Sequence, residues 1–433
     1  MNYKPDILNQ KGFITAAPIP AMQFDEDFSA SAKKVKNGEL IEIYRRMYAI
    51  RRFEEALLEV TRSGKTHGIA VKLDYGDRNN PACKYMGTLH TCIGQEAVSV
   101  GEAYSSTDFN DKFFGSHRSH GELIAVPLTE IYRKSVSSVS KTLKTSPYFA
   151  NFYRQFKNSL IFDDKNVLKN TVVRKFRGIE YTLSKKELAE ISLYGSAFAE
   201  CLNSRLGLQN GKAGSMHAYC KDYKIFPGNA IVGAQAGIAT GAALYKRAQN
   251  ETGVVICNLG DAALGAGVVY ESMNFAASDQ FKELWHKDTA SAETADTGTQ
   301  TVQDGRTLPV IYAIVNNGYG VSGRTQGETM AFREPCRIGM GVSPTNLYAE
   351  RINGNNVFAV IDAFTRKRET AESKGACLLD LVTYRYEGHS LSDKKEYRST
   401  EEIEAWKTVD PLITFKTDAI ASGVLSEEDF IKA

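Results

Sequence analysis

The chain has no long apolar run: nothing in it approaches the roughly 18 consecutive apolar residues that a membrane-spanning helix needs. It also lacks an apolar signal core. The N-terminal MNYKPDILNQKGF carries Asp6 among few basic residues, unlike a secretory or organellar leader. Tryptophan (2) and histidine (7) are scarce, so each histidine can be weighed singly. Net charge is nearly absent, because Lys+Arg 53 against Asp+Glu 51 leaves +2. That excludes a global pull toward nucleic acid or an anionic membrane. The seven cysteines (83, 92, 201, 220, 257, 336, 377) are scattered and form no C-x-x-C pair. Such a set points to reduced thiols in a cytoplasmic setting, and against a disulfide frame or a zinc site.

What is present is periodic. Residues 1–39 lack periodicity and read as an extended arm; 40–433 form the main domain, with insertions near 128–190 and 282–307. Leu40, Ile43, Met47, Ile50, Phe53, Leu57 and Val60 recur at helical spacing, and Gly64 ends that helix. A small-residue helix fits GQEAVSVGEAYS. The stretch 73–82 is turn chemistry, and the segment 133–186, rich in Lys and Arg, reads as an inserted helical subdomain with a helix start at Ser146-Pro147. Two β-branched runs, Val254–Leu259 and Pro309–Val315, are apolar without alternation, as buried parallel strands are. Val357–Asp362 reads as a third strand before a helix, and Cys377–Tyr386 as a fourth. Strands alternating with helices predict an α/β fold, a parallel sheet flanked by helices.

The chemistry gathers behind the first two runs. Val254–Leu259 is followed by Gly260-Asp261-Ala262-Ala263, and Pro309–Val315 by Asn316-Asn317-Gly318-Tyr319. A carboxylate and an amide oxygen just past the ends of neighbouring parallel strands point into the crevice where α/β folds bind ligands. They are hard ligands suited to Mg²⁺, whose remaining shell is commonly phosphate oxygen. A helix cap and an Asn-rich turn are the bland alternatives. Neither the G-x-G-x-x-G dinucleotide fingerprint nor the G-x-x-x-x-G-K-[ST] of a P-loop is formed.

Gly-Asp after one strand and Asn-Asn after the next resembles the diphosphate-binding motif of thiamine diphosphate enzymes. TLHTCIGQEAVSVGEA (88–103), GSHRSHG (115–121), GKAGSMHAY (211–219), GNAIVGAQAGIATGAAL (228–244), YRYEGHSLSD (384–393), YRSTEEIEAW (397–406) and DPL (410–412) narrow the match. In that order, from about residue 40 onward, the chain resembles the alpha subunit of the decarboxylating first component of 2-oxoacid dehydrogenase complexes, pyruvate or acetoin type. The resemblance implies a thiamine diphosphate-binding fold of the diphosphate-binding type, with helical insertions. It implies thiamine diphosphate and Mg²⁺ as cofactors and His90 and His389 as catalytic residues. His117, Arg118, Ala230, Ile231, Val232, Gly260, Asp261, Ala262, Ala263, Asn317 and His389 are the implied cofactor-binding residues. Asp261, Asn317 and the carbonyl of Tyr319 are the implied metal ligands.

The implied reaction is oxidative decarboxylation of a small pyruvate-like or acetoin-like 2-oxoacid, with acyl transfer to a lipoyl carrier. Partners would be a beta subunit, as a separate chain or a fused half, completing the site in a heterotetramer, and a lipoyl-bearing acyltransferase; nucleic acid and membrane are not expected. A self-sufficient thiamine diphosphate decarboxylase or transketolase and a non-catalytic assembly subunit are the alternatives. Three departures from the family stand out. His117 replaces a common tyrosine. Ala262 and Ala230 replace glycines, and alanine at 262 is strained if its φ is positive. Asp261 and Asn317 lie 56 positions apart, longer than the family interval, the surplus at Lys282–Thr307 reading as an excursion near the cleft.

Overall fold

A computed structural model describes residues 16–36, 38–66, 69–70, 88–149, 171–176, 179–283 and 305–433. Six strands build a parallel sheet: β1 (Lys112–Phe114), β2 (Ile225–Phe226), β3 (Val255–Gly260), β4 (Val310–Asn316), β5 (Tyr348–Asn353) and β6 (Cys377–Val382). Their spatial order is β2-β1-β3-β4-β6-β5. The central strands are apolar on both faces because helices cover both. Ile256, Ile311, Ala313, Leu379 and Leu381 face one core; Val255, Cys257, Leu259, Val310, Tyr312 and Ile314 face the other.

The helices that position the site are α1 (Phe28–Lys34), α2 (Glu39–Ser63), α3 (Glu96–Ser105), α4 (His120–Arg133), α5 (Lys185–Cys201), α6 (Ala234–Gln249), α7 (Gly267–Ala276) and α8 (Val357–Ser373). α2 through α5 and α8 contribute to the first core, α6 and α7 to the second. In α2 the whole expected stripe, Leu40 to Val60, is buried, and Gly64 ends it in the left-handed conformation. α3 forms where its small residues allow α8 to approach: a Cβ on Gly101 would stand 2.5 Å from Val360 Cγ1.

Several expectations are corrected. The arm is extended only as far as Asp27, whose carboxylate caps α1, and Phe28 then packs edge-on against Phe358 and Phe415. Val357–Asp362 is not a strand but the start of α8. Asn356 accepts from the amides of Phe358 and Ala359, and the apolar residues continue at helical spacing through Phe364. The strand beside β6 is the more polar Tyr348–Asn353. The basic segment is not wholly helical, since Thr171–Phe176 and Ile179–Ser184 pair as an antiparallel hairpin. Helix does begin at Pro147, and residues 136–145 form another helix. The turn-rich stretch 73–82 and the aromatic run after Phe149 lie outside the described residues.

Most of the surplus between Asp261 and Asn317, expected near the cleft, lies outside the described residues. Its described flanks, Gln280–Glu283 and Gly305–Leu308, lead from the back of α7 into the first residue of β4. Thr307 there bonds the Lys374 carbonyl just past the end of α8. This is the N-terminal edge of the sheet, opposite the chemistry.

Candidate functional site

β3 and β4 are paired in register, Gly260 opposite Val315, so the residues that follow them emerge side by side. Asp261 opens a short 3₁₀ turn, Asp261–Gly265, that leads into α7. Its carboxylate is 1% exposed, accepts from Thr325 Oγ1 at 2.6 Å and also meets the backbone amide of Asn317. Burial pushes its pKa up to about 6. Asn317 accepts from the Tyr319 amide at 3.1 Å, which folds the turn so that all three residues lie together. Neither Ala262 nor Ala230 has a positive φ, so the expected strain is absent.

These residues line one cleft with Ser116, His117, Arg118, Ala230, Ile231, Val232, Gly260, Ala262, Ala263, Tyr319, Arg385 and His389. Every residue expected to hold the cofactor or its metal is therefore on this wall. His90 stands just behind it, edge-on to His389 with ring centroids 4.6 Å apart and to His117 at 5.0 Å. One ring nitrogen of each of the three imidazoles falls within 4.8 Å of the others.

The hydrogen bonds assign proton positions on two of these rings. His90 Nδ1 lies 2.6 Å from the His389 carbonyl, which only accepts, so Nδ1 carries the proton and Nε2 keeps its lone pair. Arg118 Nη2 donates to His389 Nδ1 at 3.0 Å, which leaves the proton of neutral His389 on Nε2. His90 thus offers a base and His389 a donor. Arg118 also donates to the carbonyls of Thr91 and His389, tying the 90–93 segment to the 385–398 loop. Within that loop Asp393 accepts from the His389 amide and the Tyr397 hydroxyl, and Arg398 Nη2 donates to the Glu387 carbonyl.

Burial and then the Arg118 charge hold the histidines neutral, His90 near 4, His117 near 2 and His389 near 3. Arg118 is itself lowered to about 9 by burial and by Arg385. Two buried guanidiniums crowded together disfavour further positive charge and favour an anion between them. Arg385 was missed by sequence reasoning. It is 1% exposed, its Nε has no partner, and its charge acts on Asp261. Gln95, Glu122, Gln235 and Asn258 were missed as well; each lines the cleft and keeps one buried polar atom unpartnered. His117 Nε2 is a further such atom. Unsatisfied buried groups are rare in folded proteins, and their concentration on one wall marks a surface built for a ligand.

The described residues fit thiamine diphosphate in this respect: paired guanidiniums and a free N–H for a diphosphate, a carboxylate and an amide oxygen for a divalent ion, and neutral imidazoles beside them. His120, by contrast, faces away. It is buried between Glu54 Oε1 and Ser215 Oγ, each at 2.8 Å, and Glu54 also receives the Cys92 amide, so this histidine braces the wall. Among the described residues no helix is long and apolar enough to cross a membrane.

Comparison with known proteins agrees. A family model described as "Dehydrogenase E1 component" matches residues 169–284 and 278–432. The pyruvate dehydrogenase E1 component subunit alpha of Zymomonas mobilis is 29% identical over 392 residues, 90% of this chain and 78% of the relative. Its counterpart from Rhizobium meliloti is 26% identical over 394 residues, covering 90% and 79%. The one from Rickettsia conorii is 30% identical over 260 residues, covering 59% and 70%. The chain belongs to the dehydrogenase E1 component family, as an alpha-type subunit of a thiamine diphosphate-dependent 2-oxoacid dehydrogenase.

Proposed function

We propose that the cleft binds thiamine diphosphate with Mg²⁺ and decarboxylates a small 2-oxoacid, pyruvate-like or acetoin-like, for acyl transfer to a lipoyl carrier. The observation that supports this most is the emergence of Asp261 and Asn317 from register-paired strands beneath two buried arginines. Asp261, Asn317 and the Tyr319 carbonyl would hold the ion; Arg118, Arg385 and His117 would meet the diphosphate; Ala230, Ile231 and Val232 would meet the aminopyrimidine. The cofactor supplies an electron sink for the decarboxylation. The chain's own residues orient the substrate and handle protons, His90 accepting at Nε2 and His389 donating from Nε2–H. The named relatives act on pyruvate, which favours a pyruvate-like substrate here.

The mouth of the cleft is apolar and open: Ile231, Val232 and Val321 are each about two-thirds exposed, and Ile238 and Tyr245 of α6 and Phe275 of α7 are exposed as well. A beta partner seated there in a heterotetramer would cover this face, complete the cofactor site and supply the acid that activates the aminopyrimidine. A lipoyl-bearing acyltransferase would then receive the acyl group. The reduced-thiol composition fits a cytoplasmic assembly.

Calorimetric titration with thiamine diphosphate at several Mg²⁺ concentrations tests the reading. Asp261→Ala removes the charge that retains the ion, so cofactor affinity and its metal dependence fall together. Asn317→Ala shows the same coupled loss but a smaller one, because a neutral oxygen contributes less. Unchanged affinity and unchanged metal dependence in Asp261→Ala would refute the assignment.

A further inference from the structure

One wall of the cleft is polar but not ionically balanced. α3 brings Gln95 as its N-cap and Ser99, the first turn of α4 brings Glu122, the first turn of α6 brings Gln235, and β3 brings Asn258. Gln95, Glu122, Gln235 and Asn258 are all more than nine-tenths buried. Each keeps one atom without a partner: Gln95 Nε2, Glu122 Oε2, Gln235 Oε1 and Asn258 Oδ1. Asn258 uses its Nδ2 to donate to both oxygens of Glu102, at 3.2 and 3.0 Å, directly behind this wall.

The charges in this part of the core can be counted. Glu54 has His120 at 2.8 Å, and Glu96 has Arg51 at 2.5 Å. Glu102 and Glu122 have no Lys, Arg or His within ion-pair distance among the described residues. The titratable groups that act on Glu122 are His120 on its own helix, Glu54 from α2, Glu102 from α3 and the Cys92 thiol, which burial keeps neutral. His120 is already matched by Glu54, so two carboxylates remain with no cation between them. α3 and α4 touch here: a Cβ on Gly121 would stand 2.2 Å from Ser99 Oγ. The two carboxylates therefore act on each other in a dry interior, and one takes up a proton.

We propose that Glu102 and Glu122 share one proton at neutral pH, and that Glu122 turns an O–H toward the cleft as a neutral hydrogen-bond donor for an acceptor atom of the molecule seated there. The proton sharing stands on the residues alone; the identity of the seated molecule rests on the proposed function. The unpartnered Oε2 is the atom that carries the proton, and Gln95 Nε2–H on the same cleft lining is a second donor. Burial, and for each group the charge of another carboxylate, raise the pKa of both, in keeping with the count of charges. Neutrality also serves the site. An ionised Glu122 would repel both a diphosphate and a 2-oxoacid carboxylate, whereas a carboxylic acid binds their oxygens. The acceptor is then an oxygen of the 2-oxoacid or a ring nitrogen of the cofactor.

Infrared difference spectroscopy on the purified chain reads the proton without any need for activity. The wild type shows a protonated-carboxyl C=O band at neutral pH that disappears as the pH is raised. The band is lost in Glu122→Gln. In Glu102→Gln the remaining transition moves to lower pH by roughly one unit or more, because the like charge is gone. Calorimetric titration of Glu122→Ala, first with thiamine diphosphate and Mg²⁺ and then with pyruvate, locates the acceptor. A loss of about tenfold or more, the scale of one buried hydrogen bond, in the first arm assigns it to the cofactor and in the second to the substrate. Glu122→Gln, which keeps the shape and an N–H donor, retains most of that affinity. Absence of the band in wild type at neutral pH, or a band unchanged in both glutamine variants, overturns the shared proton. Unchanged affinity of Glu122→Ala in both arms overturns the donor role.

Discussion

Replacing Glu200 with glutamine tests how the loop after α5 is held. The Glu200 side chain is fully buried and accepts four backbone N–H groups: Ala213 and Gly214 on one oxygen at 2.7 and 3.0 Å, Gln209 and Gly211 on the other at 2.7 and 2.9 Å. A glutamine keeps one accepting oxygen but turns an NH₂ toward the other two donors. Two charge-assisted hydrogen bonds are lost and two amides are left facing a donor, a cost of roughly 3–6 kcal/mol at about 1.5–3 kcal/mol per bond. A typical domain has only about 5–15 kcal/mol in total, so Glu200→Gln should lower the urea midpoint sharply. The effect should reach the cleft, because the loop delivers Ser215 to the His120 imidazole, and through Glu54 to the Cys92 amide. Proteolysis between residues 202 and 214 should accelerate, and thiamine diphosphate affinity should fall without any substitution in the cleft. A stability within about 1 kcal/mol of wild type, with unchanged loop cleavage, would show that the four contacts do not organise the loop.

Other outcomes follow from the same geometry. His120 is raised to about 10 although burial opposes its charge, because contacts with Cys201 and Glu54 outweigh the burial. The stabilisation from its proton is therefore complete below about 6.5 and lost as pH rises toward about 10, so the stability gap between wild type and His120→Gln should narrow across that window in denaturant titrations. The isolated chain should not turn over 2-oxoacids until a beta partner is supplied; robust activity from a proven monomer would contradict the shared site. The 386–397 loop is tied down by Asp393 and Arg398, so cofactor should slow its proteolysis in wild type, and Asp393→Ala should be cleaved faster without cofactor.

Much of this was legible in the residues, and the failures have causes. The α2 stripe repeats seven times, which is enough to fix its period, and β3 and β4 are short β-branched runs ended by Gly-Asp and Asn-Asn. Asp261 and Asn317 could be paired because parallel strands gather their following residues at one edge. Val357–Asp362 failed because a short buried apolar run carries no decisive period; the Asn356 cap was the better signal. Gln95, Glu122, Gln235 and Asn258 meet only because three helix starts converge on the end of β3, a relation that spacing does not encode. Arg385, between two tyrosines, was read as the end of the fourth strand; only its burial and its charge on Asp261 reveal it.

The place where the flanks of the long surplus meet the sheet has a consequence for how this protein can be altered. They join it at the edge where strands begin, while the residues proposed to react sit where strands end. A module spliced between Glu283 and Gly305 should therefore leave unchanged the register that aligns Asp261 with Asn317. The rear edge is a natural attachment port for a reporter or a tether, leaving the front edge free to work.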